Sequence, residues 1–148
     1  MGLISQLLPS NHVLLDAELT SKKRLFEQVG MLVEGSRGIA RSVIFDSLFA
    51  REKLGSTGIG QGIAIPHGRI KGLKDAVGVF VRLSQPLPFD APDGRPVNLV
   101  FALLVPEQGT QAHLDILSEL ADRFSDPDVR AALTAAADDA AVLKTFSD

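Results

Sequence analysis

Gly55-Ser56-Thr57-Gly58-Ile59-Gly60-Gln61-Gly62-Ile63-Ala64-Ile65-Pro66-His67-Gly68 holds five of the chain's thirteen glycines and runs into a histidine. Glycine accepts positive φ and lets the backbone approach a neighbour closely, so the stretch reads as a bent loop that exposes N–H groups. Ile63, Ala64 and Ile65 form an apolar run bounded by Gly and Pro, which suits a short buried strand. Pro66 fixes its own φ and biases Ile65 towards extended geometry. The chain thus reaches His67 in a stiff form, and Gly68 leaves one side of the imidazole uncrowded. A histidine on a rigid strand end beside a glycine loop is the candidate functional centre.

Working outward, residues 3–8 are an apolar patch ended by Pro9, and Val13-Leu14-Leu15 suits a brief strand. Thr20 or Ser21 can cap a helix running to about Glu34, with Leu25, Phe26, Val29, Leu32 and Val33 at helical spacing and Gly35 as its terminator. A second helix is expected from about Ala40 to Lys53, with Gly55 just beyond. On it Ile44, Leu48 and Arg51 share one face, so Arg51 extends an apolar stripe into the last turn. Either it favours the helix C-terminus as a cation, or it binds an anion at the glycine loop.

Downstream, Val77 to Leu83 and Val97 to Val105 read as strands, joined by a turn-rich stretch with Pro86, Pro88, Pro92, Asp93-Gly94 and Pro96. Pro106 stops the second strand, and Thr110 is expected to cap a helix to about Phe124. His113, Leu117, Leu120 and Phe124 form one stripe of that helix, so His113 is either a hydrogen-bonded core residue or part of a site. Asp126-Pro127 supplies a cap and an N1 proline for a further helix. The tail is expected to end in a short helix or a frayed coil. Interleaved helices and strands without linker or repeat imply one α/β domain over residues 1–148, with a mixed sheet covered by helices.

Composition excludes several functions. There are 148 residues, 45% hydrophobic and 22% charged, as in a soluble globular domain. The absence of cysteine removes disulfides and thiolate metal sites. A net charge of −3 leaves no footprint for nucleic acid, and Lys22-Lys23-Arg24 reads as a solvated helix face. No signal-peptide pattern opens the chain, and Gln6 breaks a myristoylation motif. Leu99 to Val105 is too short to span a bilayer, so a cytoplasmic location is expected.

His12, His67 and His113 have no metal-binding spacing, and no metal or cofactor is expected. The glycine stretch fits neither a nucleophile elbow, a dinucleotide fingerprint nor a P-loop. What remains for His67 is nucleophilic chemistry, for which imidazole is neutral and competent near pH 7. Phosphoryl transfer asks a protein mainly for positioning and hydrogen-bond donors. Arg51, the first turn of the helix that carries His113, the hydroxyls of Ser56 and Thr57 and backbone N–H groups of the loop such as that of Gly58 could supply them. The residues by themselves leave this reading open beside that of a structural turn histidine.

Arg51-Glu52-Lys53-Leu54 followed by the glycine stretch to His67-Gly68 closely resembles the signature of the type-2 EIIA domain. That domain belongs to the phosphoenolpyruvate-dependent sugar phosphotransferase system. Leu103-Leu104-Val105-Pro106 and His113-Leu114 resemble the same domain's second histidine segment, and the likeness covers nearly the whole chain. The resemblance implies a mostly parallel mixed sheet flanked by helices, and a phosphotransferase component with a phosphohistidine intermediate. By position, His67 would be phosphorylated on Nε2, with Arg51 and His113 as companions; the donor reading adds Ser56, Thr57 and Gly58 as a candidate phosphate-binding loop. His12 matches no functional position. Leu3-Ile4-Ser5-Gln6-Leu7-Leu8-Pro9 and Ser21-Lys22-Lys23-Arg24 are similar to the nitrogen-regulatory branch. That branch implies an HPr-like phosphoryl donor and regulation of protein targets. A sugar-specific EIIA feeding an EIIB domain, and a binding module that is never phosphorylated, are the competing readings.

Overall fold

The computed structural model describes residues 3–108 and 111–147. Strands β1 (Val13–Ala17), β2 (Gly58–Gly60), β3 (Ile63–Ala64), β4 (His67–Ile70), β5 (Val77–Leu87) and β6 (Val97–Pro106) form one sheet. Its order is β1-β5-β6-β3-β2, with β4 also paired to β6. The pairings β1–β5, β3–β6 and β4–β6 are parallel, whereas β2–β3 and the long β5–β6 hairpin are antiparallel. The expected mixed sheet is there, although its longest ladder is antiparallel.

Side-chain alternation splits the core in two. Val77, Val79 and Val81 of β5, with Val100, Ala102 and Leu104 of β6, pack against α2 (Lys22–Arg37) and α3 (Arg41–Leu54). Phe80, Leu99, Phe101, Leu103 and Val105 face the other way, onto α1 (Leu3–Leu7), α4 (Gln111–Ser125), α5 (Pro127–Ala135) and α6 (Asp139–Ser147). A sheet buried on both faces gives the near-continuous apolar run seen in β6. Phe146 fills the second core, edge-on to Phe80, Phe101 and Phe124.

Ser21 caps α2, its Oγ accepting from Arg24 N, and Asp126 caps α5 ahead of Pro127. The expected end of α2 at Gly35 is corrected: the helix runs to Arg37. Gly38 is the residue that adopts the left-handed conformation, at φ 73°, and its N–H bonds Glu34 O. Gly35 sits inside the helix with open space around it. The expected Thr110 cap lies outside the described residues.

The glycine stretch is more ordered than a loop. Gly58–Gly60 and Ile63–Ala64 pair as a hairpin whose two turn residues, Gln61 and Gly62, have φ of 59° and 79°. Positive φ at both positions matches the twist of the flanking strands. After β3 the chain jogs at Ile65-Pro66 and rejoins the same edge of β6 as β4, placing His67 opposite Leu103. Pro66 O accepts Leu103 N at 2.8 Å, which pins the jog.

Candidate functional site

Residues paired in register point to the same face of a sheet. His67, opposite Leu103, therefore lies on the α4 side, and Gly68, opposite Leu104, on the α3 side. A Cβ on Gly68 would run into Ser47 Oγ of α3. Gly68 is thus required by the close packing of α3 on β4. This corrects the expectation that it serves to clear the imidazole.

His67 lines a hollow of about 400 Å³ between the last turn of α3 and the first turn of α4. Arg51, Arg69, His113, Leu103, Leu114 and Leu117 contribute to its wall. The structure therefore brings His67, Arg51 and His113 to one place from three separate elements. Leu54, 85% exposed, and Leu114, 51% exposed, give the mouth an apolar rim.

Among the described residues one hydrogen bond orients the His67 ring: Nδ1 lies 2.9 Å from Ile65 O. A carbonyl oxygen only accepts, so Nδ1 carries the proton and Nε2 keeps its lone pair. Burial pushes the imidazole pKa below its ordinary value. The bond to Ile65 O opposes the shift, Arg51 and His113 reinforce it, and Glu52 opposes it. Each cause follows from what it does to the charged ring. The outcome is a neutral, half-buried imidazole with Nε2 available as a nucleophile.

Arg51 Nη1 donates to Gly55 O at 2.8 Å, closing the end of its own helix. Arg51 thus caps the C-terminus of α3, the first of its two sequence readings, and also lines the hollow. His113 is half-buried, and its Nδ1 has no hydrogen-bond partner among the described residues.

Ser56, Thr57 and Gly58 are not brought to the hollow. Thr57 is buried and donates to Glu52, through N at 3.1 Å and Oγ1 at 2.6 Å. Ser56 Oγ donates to Phe89 O and accepts Gly58 N at 3.0 Å. Sequence reasoning missed Glu52, 8% exposed, which pairs with Lys22 Nζ at 2.9 Å. Lys22 also donates to Phe89 O and lies over the Phe89 ring, so the solvated-face reading is corrected for this lysine. The partners are 30 positions apart, and no local pattern announces them.

His12 is fully buried, Nδ1 bonding Gly78 O at 3.0 Å and Nε2 meeting Ser36 Oγ at 2.7 Å. It is a structural pin between β5 and α2. Among the described residues no group of three His, Cys, Asp or Glu could hold a metal, and no helix is long and apolar enough to cross a membrane.

Residues 6–148 match the family model described as "Phosphoenolpyruvate-dependent sugar phosphotransferase system, EIIA 2". The chain belongs to this type-2 EIIA family. Within it, the chain is 48% identical over 120 residues to a nitrogen regulatory protein of Klebsiella oxytoca, covering 80% of this chain and 74% of that one. The crystal structure of the nitrogen regulatory protein IIA-Ntr from Neisseria meningitidis superposes with a TM-score of 0.93 at 50% identity, covering 98% of this chain and 99% of that one. Mannitol IIA of Escherichia coli shares the type-2 EIIA fold, with a TM-score of 0.77 at 19% identity over 93% of this chain and 97% of that one. The chain is thus a phosphotransferase-system EIIA protein with relatives of the nitrogen-regulatory branch.

Proposed function

We propose that this EIIA protein is a phosphocarrier of the nitrogen-related phosphotransferase system, accepting a phosphoryl group on His67 Nε2 from an HPr-like carrier. The bond from Nδ1–H to Ile65 O carries the reading, because it leaves Nε2 as the one nucleophilic nitrogen of a ring that lines the hollow. In the transfer, the Nε2 lone pair forms a bond to phosphorus as the carrier's own nitrogen–phosphorus bond breaks. The released electron pair returns to the carrier's imidazole, and the proton stays on Nδ1, hydrogen-bonded to Ile65 O. Arg51 meets the charge on the equatorial oxygens, as positioned cations do in phosphoryl transfer. His113 adds a second imidazole to the wall. The apolar rim of Leu54 and Leu114 suits burial under a carrier domain, which would exclude water from a labile intermediate.

Phosphorylation places about −1.5 to −2 charges at the mouth of the hollow and so changes what the face can bind. Regulation of protein targets by phosphorylation state follows, in line with the nitrogen regulatory relatives. Intact mass spectrometry after incubation with phosphoenolpyruvate, an enzyme I and its HPr-like carrier tests the proposal. The expected result is one acid-labile phosphoryl group on wild type and none on His67→Ala. No gain from a charged carrier would hand the site to the binding-module reading.

A further inference from the structure

Neither Glu52 nor Lys22 lines the hollow, yet their pair begins an unbroken line of hydrogen bonds that ends on His67. Lys22 Nζ binds Glu52 Oε2 at 2.9 Å. Glu52 Oε2 and Oε1 accept Thr57 N and Thr57 Oγ1. Thr57 O accepts Ile65 N at 3.0 Å. Ile65 O accepts His67 Nδ1–H at 2.9 Å. We propose that Glu52 is a positioning residue for His67: clamped by Lys22, it fixes Thr57, Thr57 fixes Ile65, and the Ile65 carbonyl then sets the tautomer and orientation of the imidazole. The catalytic consequence rests on the reading of His67 as phosphoacceptor.

Two physical considerations favour a role beyond holding the fold. A buried ion pair costs about as much in desolvation as it returns in attraction, so apolar packing would stabilise this corner as well. What a charged, doubly accepting carboxylate adds is a fixed direction for the groups it binds. The line also ends where direction matters. Ile65 lies at the jog between β3 and β4, where neither strand's ladder to β6 covers it, as the registered pairs stop at Ala64 and resume at His67. Thr57 therefore supplies the constraint that regular pairing does not. Ser56, Thr57 and Gly58 then support the acceptor from behind rather than touching phosphate.

The charged and titratable groups around the ring are Arg51 and Glu52 on α3, Arg69 on β4 and His113 on α4. Glu52→Gln alters only one of them. Thr57→Val alters none, while removing the hydroxyl that Glu52 Oε1 accepts. Imidazole 15N spectra of the full chain, recorded over a pH series, read the His67 tautomer and titration without any phosphoryl donor.

Wild type should show Nδ1 protonated and Nε2 bare. Glu52→Gln should move the tautomer ratio towards Nε2–H by about fivefold, the worth of one net hydrogen bond. It should also lower the His67 titration midpoint, because both the carboxylate and the bond to Ile65 O favour the protonated ring. Thr57→Val should shift the tautomer the same way by a smaller factor, and it alone decides the matter if Glu52→Gln does not fold. The phosphorylation rate from a charged carrier should fall in the order of the tautomer shifts. His67 signals identical to wild type in a folded variant, whatever its melting temperature, would overturn the proposal. Failure of wild type to accept phosphate would instead sink the phosphocarrier reading, with the imidazole spectra still judging the relay.

Discussion

Adding one methyl group at Gly68 tests how α3 places the strand that carries His67. The φ of Gly68 is not in the left-handed range, so the glycine answers to space rather than to backbone conformation. In Gly68→Ala the new Cβ overlaps Ser47 Oγ and lies 3.2 Å from Ser47 Cβ. Rotating the hydroxyl away breaks its 3.0 Å bond to Arg69 O, a loss of about 1 kcal/mol. The remaining overlap with Ser47 Cβ adds about 1 to 2 kcal/mol of overpacking. The sum, about 2 to 3 kcal/mol, corresponds to roughly 6 to 9 °C in melting temperature for a chain of this size. Ser47→Ala removes the hydroxyl in advance. On that background only the overlap with Cβ remains, so Gly68→Ala should cost about 1 to 2 kcal/mol and the two sites should couple by about 1 kcal/mol. Urea unfolding of the four proteins by circular dichroism measures this, since the chain has neither Trp nor Tyr for fluorescence. An equal cost of Gly68→Ala on both backgrounds would refute the steric argument.

Three further outcomes follow from the same geometry. His113→Ala should fold and accept phosphate more slowly than wild type in a stopped transfer assay; an unchanged rate would make His113 a core residue only. Arg51→Gln should raise the titration midpoint of His67, which burial chiefly depresses and Arg51 depresses further. It should also slow transfer by about tenfold to a hundredfold, the worth of a charge-assisted bond, and an unshifted midpoint would remove Arg51 from the site. His12, depressed by burial and by Arg37 against the bond to Gly78, is neutral in the folded chain. Its contribution is complete above the unfolded pKa of about 6.5 and is lost as pH falls below it, because the unfolded chain then binds the proton first. Stability of wild type should therefore drop as pH falls below about 6.5. In His12→Asn that drop should be smaller, as chemical denaturation across the range would show.

The parts of the fold that sequence alone conveyed were those with local causes. Alternation in Val77–Leu83, the stripe of α2 and the Asp126-Pro127 cap each depend on residues a few positions apart. Gly35 misled because a helix tolerates a glycine at a cost of about 1 kcal/mol, and only the geometry singles out Gly38. Strand β4 escaped notice because His67-Gly68-Arg69-Ile70 has no apolar alternation; it is a strand because β6 offers it a ladder. At the site, the spacing of Ile44, Leu48 and Arg51 and the stripe holding His113 gave candidates, and the family signature raised them above their neighbours. The search for donors also drew Ser56, Thr57 and Gly58 into the phosphate shell, whereas Thr57 donates to Glu52, Ser56 Oγ to Phe89 O and Gly58 N to Ser56 Oγ. Glu52 and Lys22 could not be paired by reading, since their encounter exists only once α2 and α3 pack.

The most direct test of the central claim is to locate the phosphoryl group by 15N and 31P coupling in the carrier-phosphorylated protein. The hydrogen bond of Nδ1–H to Ile65 O requires phosphorus on Nε2 of His67, with Nδ1 still protonated. Phosphorus on Nδ1 of His67, or on His113, would contradict it.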